Sequence, residues 1–306
     1  MNNMVDLISI GTISVDLFFK GESLTLKDNR FQLALGGKYD TDFFYESIGG
    51  GGANVAIGAH KHGLQTAVMG KIGNNIFKKA ILEKFENESI YHRYCQFQND
   101  YYNVSSIILH KTGERTVLHH QTPHVHTFDH EKDFFVLKKS KAAYIGNIPD
   151  SRLRVKEKLI HFLRENHIPI FINLGKHDCA LPRHHIADLL RYIDVLIVNG
   201  HEFAEMVKAP YEDIDFSEPV VEYYIPQIKD RLVVVTDGAK GSYAYIHDIV
   251  YHQKAISPPK IVDATGAGDG YCAGFISTYI KTNNIRHSME AGSKYAAKIL
   301  GKIGAN

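Results

Sequence analysis

The segment with the strongest chemical signature runs from Asp263 to Asp269 and reads Asp-Ala-Thr-Gly-Ala-Gly-Asp. Within it, Gly266, Ala267 and Gly268 carry little or no side chain, so their N–H groups can approach a bound anion closely. A helical pattern follows, and the positive end of its dipole would point at the same place. Asp269 adds a carboxylate, and therefore a candidate base, beside this anion site. The segment predicts phosphate chemistry, although a glycine-rich turn alone is a weak signal.

A second glycine-rich run, Gly49-Gly-Gly-Gly-Ala-Asn54, opens a helical pattern that begins near Ala53. Glycines such as Gly50 can adopt positive φ angles and let a ligand approach the backbone. Asn54 offers both a donor and an acceptor, which suits a ligand with several hydroxyl groups. The same run is also typical of a hinge, and a hinge that closes over a ligand would combine both interpretations.

A third pattern, Asn199-Gly-His-Glu202, lies between a predicted strand and the first turn of a helix. An acidic residue at such a place is stabilised by the helix dipole alone, which is the purely structural interpretation. In the functional interpretation Glu202 organises magnesium-bound water and phosphate, because Mg2+ keeps several waters and needs few carboxylates. Both interpretations stay open at this point.

Polar residues also follow several predicted strands. From Ala142 onward, apolar strands alternate with helices, which is typical of a parallel sheet covered on both faces. Ligands bind at the carboxyl edge of such a sheet. The polar residues expected at this edge are Asp16, Asn173, Asn199, Thr236-Asp-Gly238 and Asp263. The pattern therefore predicts an α/β fold with its functional site along that edge.

Two segments depart from this alternation, because they contain short β-rich runs between turn signals. They are residues 17–48, where the run from Phe31 to Leu35 predicts part of a hairpin, and residues 100–122. We expect them to form a small β-sheet lid. Residues 1–16, 49–99 and 123–306 would then form the α/β core that binds nucleotide and substrate.

The composition is ordinary for a soluble globular protein, since 44% of the 306 residues are hydrophobic and 23% are charged. The formal net charge of +1 gives no overall field to attract nucleic acid or an anionic membrane. No apolar run approaches the roughly 20 residues of a transmembrane helix. The first ten residues lack the basic region of a signal peptide. The three cysteines form no CxxC pattern, so we expect a cytoplasmic protein.

Four histidines lie close together in the sequence, at His119, His120, His124 and His126. A metal site is one interpretation of this cluster. Their spacing matches no standard set of zinc ligands, and Pro123 marks a loop among them. A polar strand followed by a turn is therefore the favoured interpretation.

The motifs together resemble the ribokinase-like (PfkB-type) carbohydrate kinases, over effectively the whole chain from Ile10 to Ala305. Asp263–Asp269 is similar to the second signature of that family and Gly49–Asn54 to its first. Asn199-Gly-His-Glu202 fits its N-x-x-E motif, and Thr236-Asp-Gly-Ala-Lys-Gly241 fits its nucleotide loop. The sequence contains neither a G-x-x-x-x-G-K-[ST] motif nor a G-x-G-x-x-G after the first strand. The resemblance implies a three-layer α/β/α core with a mostly parallel sheet, a small β-sheet lid, and ATP as phosphate donor.

The resemblance also implies a role for each motif residue by its position. Asp269 would be the catalytic base, and the anion hole would consist of Gly266, Ala267 and Gly268. The hydroxyl groups of the substrate would be bound by Asp16, Gly50 and Asn54. The ATP site would include Asn199, Thr236, Gly238 and Gly241. The metal ligands would be Glu202, which would hold Mg2+ through water, together with Asp263 and Thr265, for which a monovalent cation such as K+ stays open.

Two regions depart from the family pattern. Relatives often carry an Asp-x-Asn-x-Arg segment where this chain reads Asn173-Leu-Gly-Lys176, which leaves Lys176 as the candidate basic group. Ser293 and Lys294 are the candidates for the wall of the adenine site. In some relatives the lid acts as a dimer clasp, so a homodimer through the lid is a further expectation.

These features predict an ATP-dependent kinase that phosphorylates a primary hydroxyl group of a small sugar, as ribokinases and fructokinases do. Its partner would be a small molecule, not nucleic acid or a membrane. A nucleoside kinase is the first alternative, because a base could stack on the aromatic residues of the lid, which are Phe18, Phe19, Phe31, Tyr39, Phe43, Phe44 and Tyr45. A catalytically idle regulator that binds a metabolite is the second, and the intact Asp269 with Gly266–Gly268 argues against it.

Overall fold

The computed structural model describes residues 4–28, 30–110, 115–123, 127–128, 130–148 and 153–306. In chain order, the strands are β1 (Leu7–Ile10), β2 (Ser14–Lys20), β3 (Leu26–Lys27), β4 (Arg30–Phe31), β5 (Phe43–Gly49), β6 (Thr66–Met69), β7 (Lys71–Gly73), β8 (Gln96–Gln98), β9 (Asn103–Leu109), β10 (Arg115–Gln121), β11 (Ala143–Ile145), β12 (Ile170–Ile172), β13 (Val195–Asn199), β14 (Leu232–Thr236), β15 (Ser242–Ile246) and β16 (Ile249–Gln253). The α-helices are α1 (Gly51–Lys61), α2 (Lys78–Asn87), α3 (Leu153–Glu165), α4 (Lys176–Cys179), α5 (Arg183–Leu190), α6 (Gly200–Val207), α7 (Val220–Tyr224), α8 (Ala267–Thr282) and α9 (Ile285–Leu300). Short 3-10 helices cover Glu131–Lys139, Tyr211–Asp213, Pro226–Ile228 and Gly238–Lys240.

The main sheet has the strand order β16-β15-β14-β13-β12-β11-β1-β6. Its strands from β6 to β14 are parallel, and β15 and β16 continue the sheet in antiparallel pairs. Strands such as Leu232–Thr236 are continuous apolar runs, because a strand covered on both faces has no solvent side. The regular alternation predicted from Ala142 onward is therefore confirmed in this sheet.

The main sheet lies between two layers of helices, each with its own hydrophobic core. On one side Leu7 belongs to a buried cluster with Val55 of α1 and Phe275 of α8. Its neighbour Ile8 points to the other side and belongs to a cluster with Leu159 of α3. Successive residues of a strand face opposite sides of the sheet, so β1 alone reaches both cores. The predicted three-layer α/β/α core is confirmed.

A smaller sheet, which we call the lid, has the strand order β10-β9-β2-β5. Its inner face buries Phe18, which packs with Ile107, Leu109 and the partly buried Ile303. Strand β2 begins at Ser14, before the expected start of the lid at residue 17, and β5 continues to Gly49, past its expected end at residue 48. Asp16, expected at the end of a core strand, therefore lies within a strand of the lid.

Two local expectations are wrong. The run Phe31–Leu35 does not form a hairpin strand beyond the short pair of β3 and β4, because Leu33 and Leu35 find no surface to bury against and stay exposed. Asp263 does not follow a strand, since the N–H groups of Val262 and Asp263 donate to the carbonyl oxygen of Leu300 instead of to a sheet. The two prolines before this loop lack the N–H groups that a sheet requires.

None of the described helices is long and apolar enough to cross a membrane. Of the four clustered histidines, His119 and His120 lie on β10, which fits the expected polar strand. His124 and His126 lie outside the described residues. Within the described ranges, no group of three or more His, Cys, Asp or Glu side chains could hold a metal ion.

Candidate active site

The turn before helix α8 has the geometry of an anion site. Gly266 is the N-cap and lies in the left-handed region at φ 75°. A Cβ on this residue would lie 2.2 Å from the Cβ of Ala305, so only glycine fits. The N–H of Gly270 donates to the carbonyl oxygen of Gly266 at 2.8 Å. The N–H groups of Ala267 and Gly268, in the first turn of the helix, have no partner within it and are available to an anion.

The side chain of Asp269 projects from the first turn of α8 toward the start of α1. Its Oδ2 accepts a hydrogen bond from Nδ2 of Asn54 at 2.7 Å. A Cβ on Gly51 would lie 3.4 Å from the other oxygen, Oδ1. The two glycine-rich motifs, more than two hundred residues apart in the sequence, therefore meet at this carboxyl group.

Burial raises the pKa of Asp269, the hydrogen bond from Asn54 lowers it, and the nearby Asp16 carboxylate raises it. The carboxyl group is enclosed by protein atoms, while the residue as a whole keeps a partly exposed surface. Burial also raises the pKa of Glu202, and the charge of Asp269 raises it further. The other titratable groups that face Asp269 are the side chains of Tyr144 and Cys272. Acids with raised pKa values in one cleft are typical of functional sites.

The lid carries Asp16 into this region. Its side chain is buried, and its Oδ1 accepts a hydrogen bond from Oγ of Ser14 at 3.2 Å. Burial raises the pKa of Asp16, while hydrogen bonds from Ser105 and Ser14 lower it. On the next strand, Ser105 also lies 3.2 Å from Nδ1 of His119. A Cβ on Gly49 would lie 2.0 Å from Oδ2 of Asp16, so this glycine makes room for the carboxylate.

A cavity of about 390 Å3 joins the predicted ATP loop to the anion turn. One end of it is lined by Thr236, Gly238, Gly241, Ala267 and Gly268. The rest of the wall is mostly apolar and consists of Ala239, Ala255, Ile256, Ser257, Pro258, Ile261, Ala264, Tyr271, Ser293, Ala296, Ala297 and Leu300. An apolar slot with a few polar groups at one end suits a purine ring and its phosphates.

Of the two residues expected in the adenine wall, only Ser293 lines this cavity. The expectation for Lys294 is wrong, because its Nζ lies on the surface of α9 and pairs with Oε1 of Glu290 at 2.6 Å. These two residues are one turn of helix apart, and such neighbours pair readily.

Asn199 and Glu202 cap the N-terminus of α6. The backbone N–H of Glu202 donates to Oδ1 of Asn199 at 2.8 Å, and the N–H of Asn199 donates to Oε2 of Glu202 at 2.9 Å. This reciprocal pair is a capping box, so the structural interpretation of the motif is realised. A carboxylate that accepts hydrogen bonds in a cap can also accept one from metal-bound water, so the functional interpretation stays a prediction beside the structural one.

The side chain of Tyr211 contacts the predicted ATP loop, and no sequence pattern indicated this role. Its hydroxyl group donates to Oδ1 of Asp237 at 2.5 Å and accepts from Nζ of Lys240 at 3.0 Å. A Cβ on Gly200 would lie 2.8 Å from its ring. The tyrosine thus connects the ATP loop with the N-terminus of α6.

Asp263 and Thr265, expected to hold a monovalent cation, are occupied by other contacts. Oδ1 of Asp263 accepts from the N–H and the hydroxyl of Thr265, at 2.9 and 2.7 Å. Oδ2 accepts from the N–H of Gly304 at 3.2 Å. The guanidinium of Arg115, on lid strand β10, lies 3.9 Å from Oδ1. A cation beside this oxygen would compete with Arg115, and the monovalent-cation site stays a prediction.

Asn173, expected along the sheet edge, and Lys176, the candidate basic group, make no recorded contact with Asp269 among the described residues. Nδ2 of Asn173 donates to the carbonyl oxygen of Ile197 at 2.7 Å, which ties two neighbouring strands together. Lys176 is exposed at the start of α4.

The fold of the chain is similar to that of solved kinases of the ribokinase type. It superposes on the adenosine kinase of Sinorhizobium meliloti with a TM-score of 0.79 and 20% identity, over 99% of this chain and 96% of that one. The ribokinase of Arabidopsis thaliana, solved with ribose and ATP, superposes with a TM-score of 0.77 and 20% identity, over 98% and 94% of the two chains.

Residues 5–306 match the pfkB family carbohydrate kinases, and the chain belongs to this family. It is an ATP-dependent kinase. The ATP-dependent 6-phosphofructokinase of Thermoanaerobacterium thermosaccharolyticum is 23% identical over 100% of this chain and 94% of its own length. A 5-dehydro-2-deoxygluconokinase of Bacillus cereus is 24% identical over 97% of this chain and 90% of its own length.

Proposed function

We propose that this kinase transfers the γ-phosphate of ATP to a primary hydroxyl group of a small sugar, with Asp269 as the base. The observation that carries the proposal is the position of the Asp269 carboxyl group. It accepts a hydrogen bond from Asn54, and Asp269 directly follows Ala267 and Gly268, which line the cavity at the N-terminus of α8. A base and an anion site are thus adjacent at the place where donor and acceptor would meet.

Phosphoryl transfer requires positioning and charge stabilisation more than covalent chemistry. The sugar would lie between Asp16 and Asn54, near Gly50, with its reacting hydroxyl directed at Asp269. Asp269 would accept the proton of this hydroxyl as its oxygen bonds to the γ-phosphorus, while the bond from this phosphorus to the bridging oxygen breaks and ADP leaves. The N–H groups of the Gly266–Gly268 turn stabilise the charge on the transferred phosphate.

ATP would lie in the 390 Å3 cavity, with its phosphates toward the anion turn. Thr236, Gly238 and Gly241 line the cavity where these phosphates would lie, and Asn199 would approach them from the start of α6. Glu202 would hold Mg2+ through water, and the ion would neutralise charge on the phosphates when bound. The charge of Asp269 raises the pKa of Glu202, and a cation near the two carboxyl groups would reduce this repulsion.

The primary test of this function is the substitution Asp269→Asn, which keeps the shape of the side chain and removes its basicity. We expect the variant to fold and bind ADP but to lose roughly 10²- to 10⁴-fold in turnover, the range supplied by general base catalysis. ADP release would be measured over sugars, sugar phosphates and nucleosides, with and without potassium. Asp188→Asn is the matched control, because Asp188 is an exposed acid on α5. Near-normal turnover of Asp269→Asn would overturn the assignment of the base.

A nucleoside substrate is the second candidate, and one feature of the lid favours it. The rings of Phe43 and Tyr45 are both partly exposed, with centroids 6.5 Å apart and planes 26° apart. Such a pair could stack on a base. Phe18, in contrast, is fully buried and cannot do so. Thermal shifts with adenosine, cytidine, ribose and fructose would separate the two substrate classes.

We also propose that the protein forms a homodimer through the outer face of the lid, whose apolar residues are Leu17, Phe19, Phe44, Ile108 and Leu118. These residues alternate with the buried inner face along the lid strands. Phe44 and Leu118 are 54% and 60% exposed. Exposed apolar side chains grouped on one face, here together with Glu46, are typical of an interaction surface.

A further inference from the structure

The side chain of Asn306 belongs to a hydrogen-bond chain that ends at Asp269. Its Nδ2 donates to the carbonyl oxygen of Ile48 at 2.5 Å and to Oδ1 of Asn54 at 3.0 Å. Nδ2 of Asn54 in turn donates to Oδ2 of Asp269 at 2.7 Å. We propose that Asn306 is a positioning residue for phosphoryl transfer, because it fixes the orientation of the Asn54 amide and thereby the hydrogen bond that Asn54 gives to Asp269. The inference rests on the proposed role of Asp269 as base.

The groups at the two ends of this hydrogen-bond chain determine the direction of every hydrogen bond in it. The carbonyl oxygen of Ile48 and the ionised carboxylate of Asp269 can only accept hydrogen bonds. Asn306 must therefore turn its NH2 group toward Ile48, and the same group also reaches Asn54. Asn54 can then offer only its oxygen to Asn306 and its NH2 group to Asp269. A flipped Asn54 amide would place an oxygen against the Asp269 carboxylate and an NH2 group against that of Asn306.

Burial makes the flipped arrangement unfavourable. Asn54 is only 6% exposed, so water cannot replace a partner that it loses. The backbone around Asn306 is also fixed. The N–H of Gly304 donates to Asp263, and Ala305 packs on Gly266 of the anion turn. Asn306 is therefore held by the same turn that would bind the transferred phosphate, and it connects this turn with the base.

The first test is Asn306→Asp, which keeps the shape of the side chain and replaces its donor group by an acceptor. Asn54 would then turn its NH2 group toward the new carboxylate and its oxygen toward Asp269. We expect kcat to fall by roughly tenfold to hundredfold, the loss expected for a hydrogen bond to a charged group. The KM for ATP should stay within about twofold, because the side chains of this hydrogen-bond chain do not line the cavity proposed for ATP.

The pH dependence provides a readout that a merely structural role would not change. Asp269 loses the hydrogen bond that lowers its pKa, so the acid limb of the kcat profile should move to higher pH. Asp16 and Glu202, the other carboxyl groups that face Asp269, are left in place. Asn87→Asp is the control, since it makes the same change of charge at the exposed end of α2.

A double-mutant cycle of Asn54→Ala and Asn306→Ala excludes a direct effect of the introduced charge. If Asn306 acts through Asn54, Asn306→Ala should lower kcat in the wild-type background and have no effect in the Asn54→Ala background. Melting temperatures of all variants would show that they are folded.

Two results would overturn the inference. One is a wild-type kcat and pH profile for Asn306→Asp, and the other is an equal loss from Asn306→Ala in both backgrounds of the cycle. The proposed function fails by a different result, namely turnover by Asp269→Asn. An inactive Asp269→Asn together with a fully active Asn306→Asp would refute the positioning role alone.

Discussion

Opposing effects act on the pKa of Asp269, which suits the base that we propose for the bound substrate. Burial and the Asp16 carboxylate raise its pKa, while the hydrogen bond from Asn54 lowers it. Burial penalises the ionised form, and a carboxylate whose pKa is raised accepts a proton more readily.

We expect Asp269→Asn to be at least as stable as the wild type at pH 7.5, with the difference shrinking as the pH falls. The folded-state pKa of Asp269 is raised, so this residue contributes stability that is fully present below its unfolded pKa. That contribution is lost as the pH rises through the folded pKa. Asparagine resembles the protonated form at every pH. Urea unfolding at pH 7.5 and pH 5 would measure the difference, and a variant that is clearly less stable at pH 7.5 would contradict the argument.

At the scale of elements, two glycines at the N-terminus of α8 differ in backbone conformation and in the space around them. Gly266 has φ 75° and a Cβ on it would lie 2.2 Å from Ala305, whereas a Cβ on Gly268 would meet no atom within 4 Å. We expect Gly266→Ala to destabilise the protein by at least about 1 kcal/mol, the usual cost of the left-handed conformation for a residue with a side chain. Gly268→Ala should fold normally.

Gly268→Ala should instead impair ATP binding, because Gly268 lines the cavity beside the phosphates. The KM for ATP would rise while the free energy of unfolding stays at or above that of the wild type, since alanine favours a helix. Urea unfolding and steady-state kinetics on both variants would check that Gly266→Ala affects stability and Gly268→Ala affects ATP binding. Equal losses of stability in the two variants would contradict it.

The parts of the site that could be predicted from the sequence are those that lie within one continuous motif. The turn before Asp269, the run that ends in Asn54 and the loop from Thr236 each contain their glycines and polar groups side by side. Asn306 and Arg115 could not be found in this way, because each gains its partner only through contact with a distant segment. Neither residue lies in a composition or spacing that marks it as functional.

The fold class could be predicted because the alternation of apolar strands and helices is strong and regular. The boundary of the lid at Asp16 could not, since β1 and β2 are both apolar and only three residues separate them. Pattern alone does not show that the chain changes sheets between Ile10 and Ser14.

For the whole molecule, the segment from Ile303 to Asn306 connects the lid with the core. Ile303 packs against the buried Phe18 of the lid, while Asn306 donates to Ile48 on lid strand β5 and to Asn54 on core helix α1. A displacement of the lid would therefore disturb the orientation of Asn54. We infer that closure of the lid over a substrate would be coupled to alignment of the proposed base through this segment, which would limit hydrolysis of ATP in the absence of a substrate.

The outer face of the lid predicts that the protein is a dimer. In a monomer the side chains of Phe44 and Leu118 would remain in water, whereas a second copy of the lid would bury them. We expect the wild type to elute as a dimer in size-exclusion chromatography with light scattering, and Leu118→Glu to shift it to the monomer, since a charge on this face opposes burial. Ile249→Glu is the matched control, because Ile249 is a similarly exposed residue on β16 at the far edge of the main sheet. A monomeric wild type, or a dimer that survives Leu118→Glu unchanged, would show that this face is not the interface.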